Sequence, residues 1–333
     1  MKKKLFAAFA ATLACATLAL GACSANEAPI TFVNYWDLNT EYTNEDPTHE
    51  SLVYDVSFTP SYSSFVNYKI DYDGTYKTTL DWEKDDKTYT STSSLQLAVT
   101  FEVNGDKETR NDFVTTTVKF HQAGGVNNLR PISSSKTILS HTPITNSGAF
   151  KASDCYSVFC YKIETVYENG FGYCTMTEYD VDTTSHLPDY DKVLEEKKFV
   201  FGAYSSKCSV LDNEQFPIAF RAMPAGTNAA VQIFNPFAGY SQKYSVALSA
   251  APTKGSYKYK LNGEETERTI DYHTASIVVD GESSGLPQTA EIATLNWKDT
   301  TLNINRNVML RYYTPLAYNM GTIVYSLSSV TNA

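Results

Sequence analysis

The sequence predicts a mainly β protein, and three observations lead there. Tyr contributes 24 residues against 17 Phe and 3 Trp, and Tyr mixed with many Thr is the composition of half-wetted β faces. Apolar and polar residues alternate with period two over long segments, the pattern of antiparallel strands with one solvated face. Asn-Gly and Asp-Gly pairs recur between those segments and suit tight hairpins, because both residue types adopt positive φ. Apolar residues make up 42% and charged residues 19% of the 333, which excludes a disordered tail protein and a coiled coil. That length leaves open one large all-β domain or two smaller ones.

The first element is not part of the mature fold. Lys2-Lys3-Lys4 precede the apolar run from Leu5 to Leu20, the charged and Ala-rich regions of an export signal spanning residues 1–22. Sixteen helical residues rise about 24 Å, short of the roughly 30 Å hydrocarbon core a permanent span must cross. Leu20-Gly21-Ala22-Cys23 resembles the bacterial lipobox, which implies cleavage before Cys23 and acylation of its thiol. Two acyl chains hold a protein on a membrane without a transmembrane helix. The expected address is therefore the extracytoplasmic face of a bacterial cell membrane, with the bilayer as first partner and residues 23–29 as the tether. Loss of residues 1–22 removes Lys2, Lys3 and Lys4 and no acid, leaving 24 basic against 37 acidic side chains. No basic run follows residue 4, so nucleic acid is not an expected partner.

Residues 30–330 form the expected β-rich domain. Val66–Tyr72 and Thr75–Trp82 flank Asp73-Gly74, and Leu95–Val103 and Asp112–Phe120 flank Asn104-Gly105. Further strands are expected at Val158–Val166, Gly172–Tyr179, Lys198–Ala203, Ala229–Phe234, Lys243–Leu248, Tyr257–Leu261, Ala275–Val279, Ala290–Leu295 and Thr322–Leu327. Asn169-Gly170, Asn262-Gly263 and Asp280-Gly281 supply turns among them. Two short helices are expected. Asn213–Met223 has Asp212 to cap its start and Pro224 to stop it, and a weaker one runs through Asp191–Lys197. Glu195-Glu196-Lys197-Lys198 reads as a solvated turn. The turn-rich stretch 140–152 is the one candidate seam, where two β-sandwich domains would meet as the alternative to a single sheet.

Three segments favour the single sheet: Leu129-Arg-Pro-Ile-Ser-Ser-Ser-Lys136, Asp212–Ala222, and Met309–Leu327 with its closing Gly321-Thr-Ile-Val-Tyr-Ser-Leu. In them the chain resembles LolA-like half-barrel envelope lipoproteins over about residues 50–328. The resemblance implies a large curved antiparallel sheet with one or two short helices, whose concave apolar surface accepts an acyl chain or a hydrophobic peptide.

Chemistry is harder to find. Gly281-Glu-Ser283-Ser-Gly285 matches the spacing of a nucleophile elbow, but Pro287 follows at once and no α/β alternation surrounds it, so a β-turn is expected. Asp180, Asp182, Asp189 and Asp191 lack the central Gly and terminal Glu of a calcium loop and read as a solvated acidic loop. His49, His121, His141, His186 and His273 are scattered, with no helical zinc pair among them. Cys155, Cys160, Cys174 and Cys208 have three pairings open to them. If 156–165 and 173–179 form a hairpin, Thr165 rather than Cys160 faces Cys174. No nucleotide loop is present. No cofactor or metal is expected, and binding rather than catalysis. Trp36, Trp82 and Trp297 are the candidate ligand-binding aromatics. The expected function is non-enzymatic binding of a hydrophobic ligand or envelope component; the alternative is a β-sandwich surface adhesin or glycan-binding module.

Overall fold

The computed structural model describes residues 29–32, 49–61, 66–83, 85–123, 128–279, 288–298 and 303–332. The signal, the lipobox, most of the tether, Trp36, Asp280-Gly281 and Ser283 lie outside the described residues.

Five strands form the first meander: β1 (His49–Pro60), β2 (Lys69–Glu83), β3 (Thr88–Val103), β4 (Asp106–His121) and β5 (Pro131–Pro143). It continues through β6 (Tyr156–Glu168), β7 (Phe171–Val181) and β8 (Pro188–Gly202). The short β9 (Ser209–Leu211) and the one-turn helix α1 (Phe216–Ala219) follow. The second meander comprises β10 (Asn228–Asn235), β11 (Tyr240–Leu248), β12 (Thr253–Leu261), β13 (Glu264–Val279), β14 (Gln288–Lys298), β15 (Asn303–Pro315) and β16 (Gly321–Asn332). All sixteen belong to one sheet, ordered β8-β7-β6-β5-β4-β3-β2-β1-β16-β15-β14-β13-β11-β10-β9, with β12 beside β13 and β16. Neighbours are antiparallel except β9 with β10 and β12 with β16. β5 and β6, on either side of the candidate seam, pair from Pro143↔Tyr156 to Ser133↔Val166. A large antiparallel sheet is therefore the architecture, and the two-sandwich alternative falls.

The sheet curls until its two ends touch. Tyr161, Ile163, Cys174 and Met176 of β6 and β7 share a buried cluster with Phe234 of β10. Phe201 of β8 lies flat on Phe234, with ring centroids 4.0 Å apart and planes 3° apart. Offset or stacked rings of this kind add to area burial, so side chains close the curl where the strand ladder does not. Gly172 makes room for that closure, because a Cβ there would lie 2.2 Å from the Phe201 ring.

Hairpin turns form where expected at Asn104-Gly105, Asn169-Gly170 and Asn262-Gly263, all at positive φ. Asp73-Gly74 is a correction: it lies inside β2, with Gly74 opposite Val56 on one side and Leu97 on the other. The glycine serves close approach of two strands, since a Cβ would come 2.0 Å from the Gln96 carbonyl oxygen. A second correction concerns Asp191–Lys197, which is β8 and neither a helix nor a turn. Its ion pairs are Glu195–Lys197 at 2.9 Å and Glu196–Lys198 at 3.0 Å, and residues two apart share a face only in a strand. The expected helix at 213–223 shrinks to α1 and a 3-10 turn at Phe220–Ala222, because Asp212 and Glu214 are bonded to neighbouring strands.

That helical segment plugs the hollow of the curl. Phe216, Ile218, Phe220 and Met223 are buried in the main core. Arg221 donates to both carboxylate oxygens of Glu50 in β1, at 2.7 and 2.8 Å, and through Nε to the Asn307 carbonyl of β15 at 2.6 Å. Both charged side chains are buried, so the plug is fixed to the middle of the sheet by a paired charge and not by apolar contact alone.

Candidate functional site

Period-two alternation sends Ser134, Lys136 and Ile138 of β5 to the inner face. The ladder places Lys136 between Thr116 of β4 and Ile163 of β6, and Ser134 between Val118 and Thr165. The start of the plug meets this row. Lys136 Nζ donates to Glu214 Oε1 at 2.9 Å, and the two side chains are only 6% and 10% exposed. Asn213 Nδ2 donates to the same Glu214 oxygen at 2.7 Å. Two residues earlier, Asp212 Oδ2 accepts from Ser134 Oγ at 2.7 Å and from the Tyr167 hydroxyl at 2.6 Å, while its Oδ1 accepts from the Glu214 N–H at 2.8 Å. Asp212 does not cap α1 as expected, because the helix begins only at Phe216 with Gln215 as its N-cap; its carboxylate instead ties β5 and β6 to the start of the plug in one junction.

Two clefts meet at this junction. The first has a volume of about 530 Å³ counting its open mouth, and it is lined by Ser134, Lys136, Tyr167, Asp212 and Glu214 with Phe234, Phe237 and Tyr244. The second, about 600 Å³ on the same measure, is more apolar and is lined by Tyr76, Leu95, Val114, Met309, Tyr312 and Tyr325. Lys136 and Glu214 line both, so the ion pair stands as the wall between them. Tyr325 packs on Tyr76 and Tyr312, with ring centroids 5.7 Å apart in each case. Burial raises the hydroxyl pKa of all three, which keeps them neutral phenols. Burial, and then the neighbouring Glu214 charge, hold the Asp212 carboxyl above its ordinary range against three hydrogen bonds that pull it down.

Of the sequence candidates, Trp82 is half-buried, stacks on Tyr89 and packs against the main core, so it lines neither cleft. Trp297 lies in β14, and Trp36 and Cys23 lie outside the described residues. The expected acidic loop is mostly strand, with Asp180 in β7 opposite Asp189 of β8, Asp191 further along β8, and only Asp182 in the connection; its carboxylates are used locally. Asp182 accepts from the Thr184 and Ser185 N–H groups, Asp189 accepts from the Asp191 N–H, and Asp180 pairs with Lys192 at 2.7 Å. Two of the scattered histidines meet: His141 Nδ1 lies 2.6 Å from the buried Asp112 carboxylate, and its Nε2 lies 3.2 Å from His186 Nδ1. Among the described residues no group of three His, Cys, Asp or Glu side chains is arranged to hold a metal ion. Thr165 faces Cys174 in the β6–β7 ladder. All four described cysteines are buried free thiols, and burial pushes those of Cys155, Cys160 and Cys174 up to about 11, which keeps them as thiols at neutral pH.

The junction residues Lys136, Tyr167 and Glu214 were not singled out from the sequence as site residues, and Asp212 was read there only as a helix cap. One signal was available: Lys136 takes an inward place in the alternation of β5, and an inward Lys needs a buried acid. The segments 129–136 and 212–222, quoted above for another reason, are the ones that meet here.

The chain has a match among solved structures. The matched protein is described as a β-barrel-like protein of a domain of unknown function, DUF1849, from Brucella abortus, and the match has a TM-score of 0.47 and 9% identity over 86% of this chain and 99% of that one. No family model and no curated protein matches the chain.

Proposed function

We propose that this is a membrane-tethered, non-enzymatic binding protein of the bacterial envelope, anchored through acylated Cys23, whose ligand is an amphiphile seated in the paired clefts. One observation carries the reading: a cleft of mixed polar and aromatic lining and a more apolar cleft share a wall at Lys136–Glu214 inside the curl. Apolar lining with a few convergent polar groups is the common make-up of a small-molecule site. The tyrosine-lined half suits a hydrocarbon or ring system, and the junction suits a polar head. The aromatics assigned to this role are Tyr76, Tyr312 and Tyr325, in place of the tryptophans.

Native mass spectrometry of the protein purified from bacteria, compared with the same sample after denaturation, tests the proposal. A releasable adduct of amphiphile mass, lost on Tyr312→Ala, is the expected result. A bare polypeptide that also fails to take up added amphiphiles would overturn it. That outcome favours the surface-recognition alternative, for which Phe150, Tyr204 and Tyr240, exposed by 77%, 71% and 59%, are the anchors.

A further inference from the structure

Resting on that reading, the charges at the junction narrow the class of ligand. Asp212 and Glu214 bring two carboxylates to the first cleft, and Lys136 is the cation beside them. Lys136 is engaged by Glu214. No Lys, Arg or His forms an ion pair with Asp212 among the described residues, although its side chain is buried within hydrogen-bonding reach of Ser134, Tyr167 and the plug backbone. A buried carboxylate without a counter-charge is costly, whereas a paired and hydrogen-bonded one is tolerated. The cleft therefore carries a surplus acid, and its remaining lining combines the aromatic rings of Tyr167, Phe234, Phe237 and Tyr244 with neutral side chains such as Thr165 and Asn235, and no second cation. Ring faces attract cations and give nothing to an anion. The chain as a whole is acidic, with a formal net charge of −10 before any processing, which concentrates cations near its surface.

We infer that the first cleft receives an ammonium group, so that the ligand is a cationic amphiphile whose amine lies against Asp212 and whose apolar body extends past the Lys136–Glu214 wall towards Tyr76, Tyr312 and Tyr325. An anionic head would meet Glu214 and Asp212 with only one cation already in use. A neutral head would leave the surplus carboxylate as it is.

The test is a matched series of octylamine, 1-octanol and octanoate, titrated by calorimetry at pH 7 into the purified protein carrying Cys23→Ala, so that no acyl chain competes. Octylamine is expected to bind about tenfold to a hundredfold more tightly than octanol, the range of one charge-assisted hydrogen bond. Asp212→Asn should erase that preference, so that octylamine and octanol bind this variant equally. Lys136→Met, which frees a second carboxylate, should strengthen it; this variant gives an independent answer if Asp212→Asn does not fold. Octanol or octanoate binding as tightly as octylamine would overturn the inference and leave the amphiphile reading standing. Failure of all three to bind would overturn both.

Discussion

The pair that pins the plug to the sheet can be tested with numbers taken from its geometry. Arg221→Leu removes two guanidinium bonds to Glu50, at 2.7 and 2.8 Å, and one to the Asn307 carbonyl at 2.6 Å. All three bonds involve the guanidinium charge, and each such hydrogen bond contributes about 1.5–3 kcal/mol. Part of that sum is recovered when Glu50 takes up a proton, so the net loss should fall at about 3–5 kcal/mol, the usual consequence of breaking a buried pair from one side. Replacing both partners removes the stranded charge as well. Glu50→Leu with Arg221→Leu should therefore stay within about 1–2 kcal/mol of the parent, because an apolar pair of similar volume often matches a buried ion pair. Urea unfolding followed by circular dichroism, run on both single variants and the double, gives the coupling energy directly. A loss under about 1 kcal/mol for Arg221→Leu, or a double variant whose cost equals the sum of the singles, would refute the claim that a charge holds the plug.

Other outcomes follow from the same geometry. Asp212 has a raised folded pKa, so its contribution to stability is complete below the ordinary carboxylate range and is lost as pH rises through the folded value. Asp212→Asn should flatten the fall in unfolding free energy as pH rises above the ordinary carboxylate range. His186 is shifted the other way, by burial and then by Arg110; protonation below about pH 6.5 therefore weakens the fold, and melting curves of His186→Gln should show a shallower acid loss than the parent. Gly74→Ala places a methyl group against the Gln96 carbonyl and should lower stability by about 1–3 kcal/mol in urea unfolding, as overpacking does. Phe201→Ala removes the stacked partner of Phe234, and Cys174 in the same cluster should then react faster with a thiol reagent than in the parent.

Strand-rich architecture was legible because alternation and turn chemistry are local. Asn104-Gly105, Asn169-Gly170 and Asn262-Gly263 each end one run and start another, and no distant contact had to be known. Asp73-Gly74 carries the same dipeptide signal but serves a different cause: the glycine answers to Gln96 on the next strand, a non-local fact. The segment Asp191–Lys197 misled for a related reason. An edge strand wetted on both faces has no apolar period, so its mixed charges read equally well as a helix or a turn. The junction was hidden for the same reason as any site assembled in space. Lys136 and Glu214 are 78 residues apart in sequence, and only the inward place of Lys136 in β5 hinted at a buried acid.

The place of β1 in the sheet bears on how the chain is made. β1, the first strand, lies between β2 and the last strand, β16, with Glu50 opposite Asn332. A polypeptide arriving from its N-terminus can zip β1 through β8 by neighbouring hairpins, yet one long edge of β1 stays open until β16 has been made. Pairings with so large a sequence separation form slowly, and an open edge invites strangers in the interval. The pair β1–β16 is thus the seam that completes the sheet, and its formation sets when the curl can close.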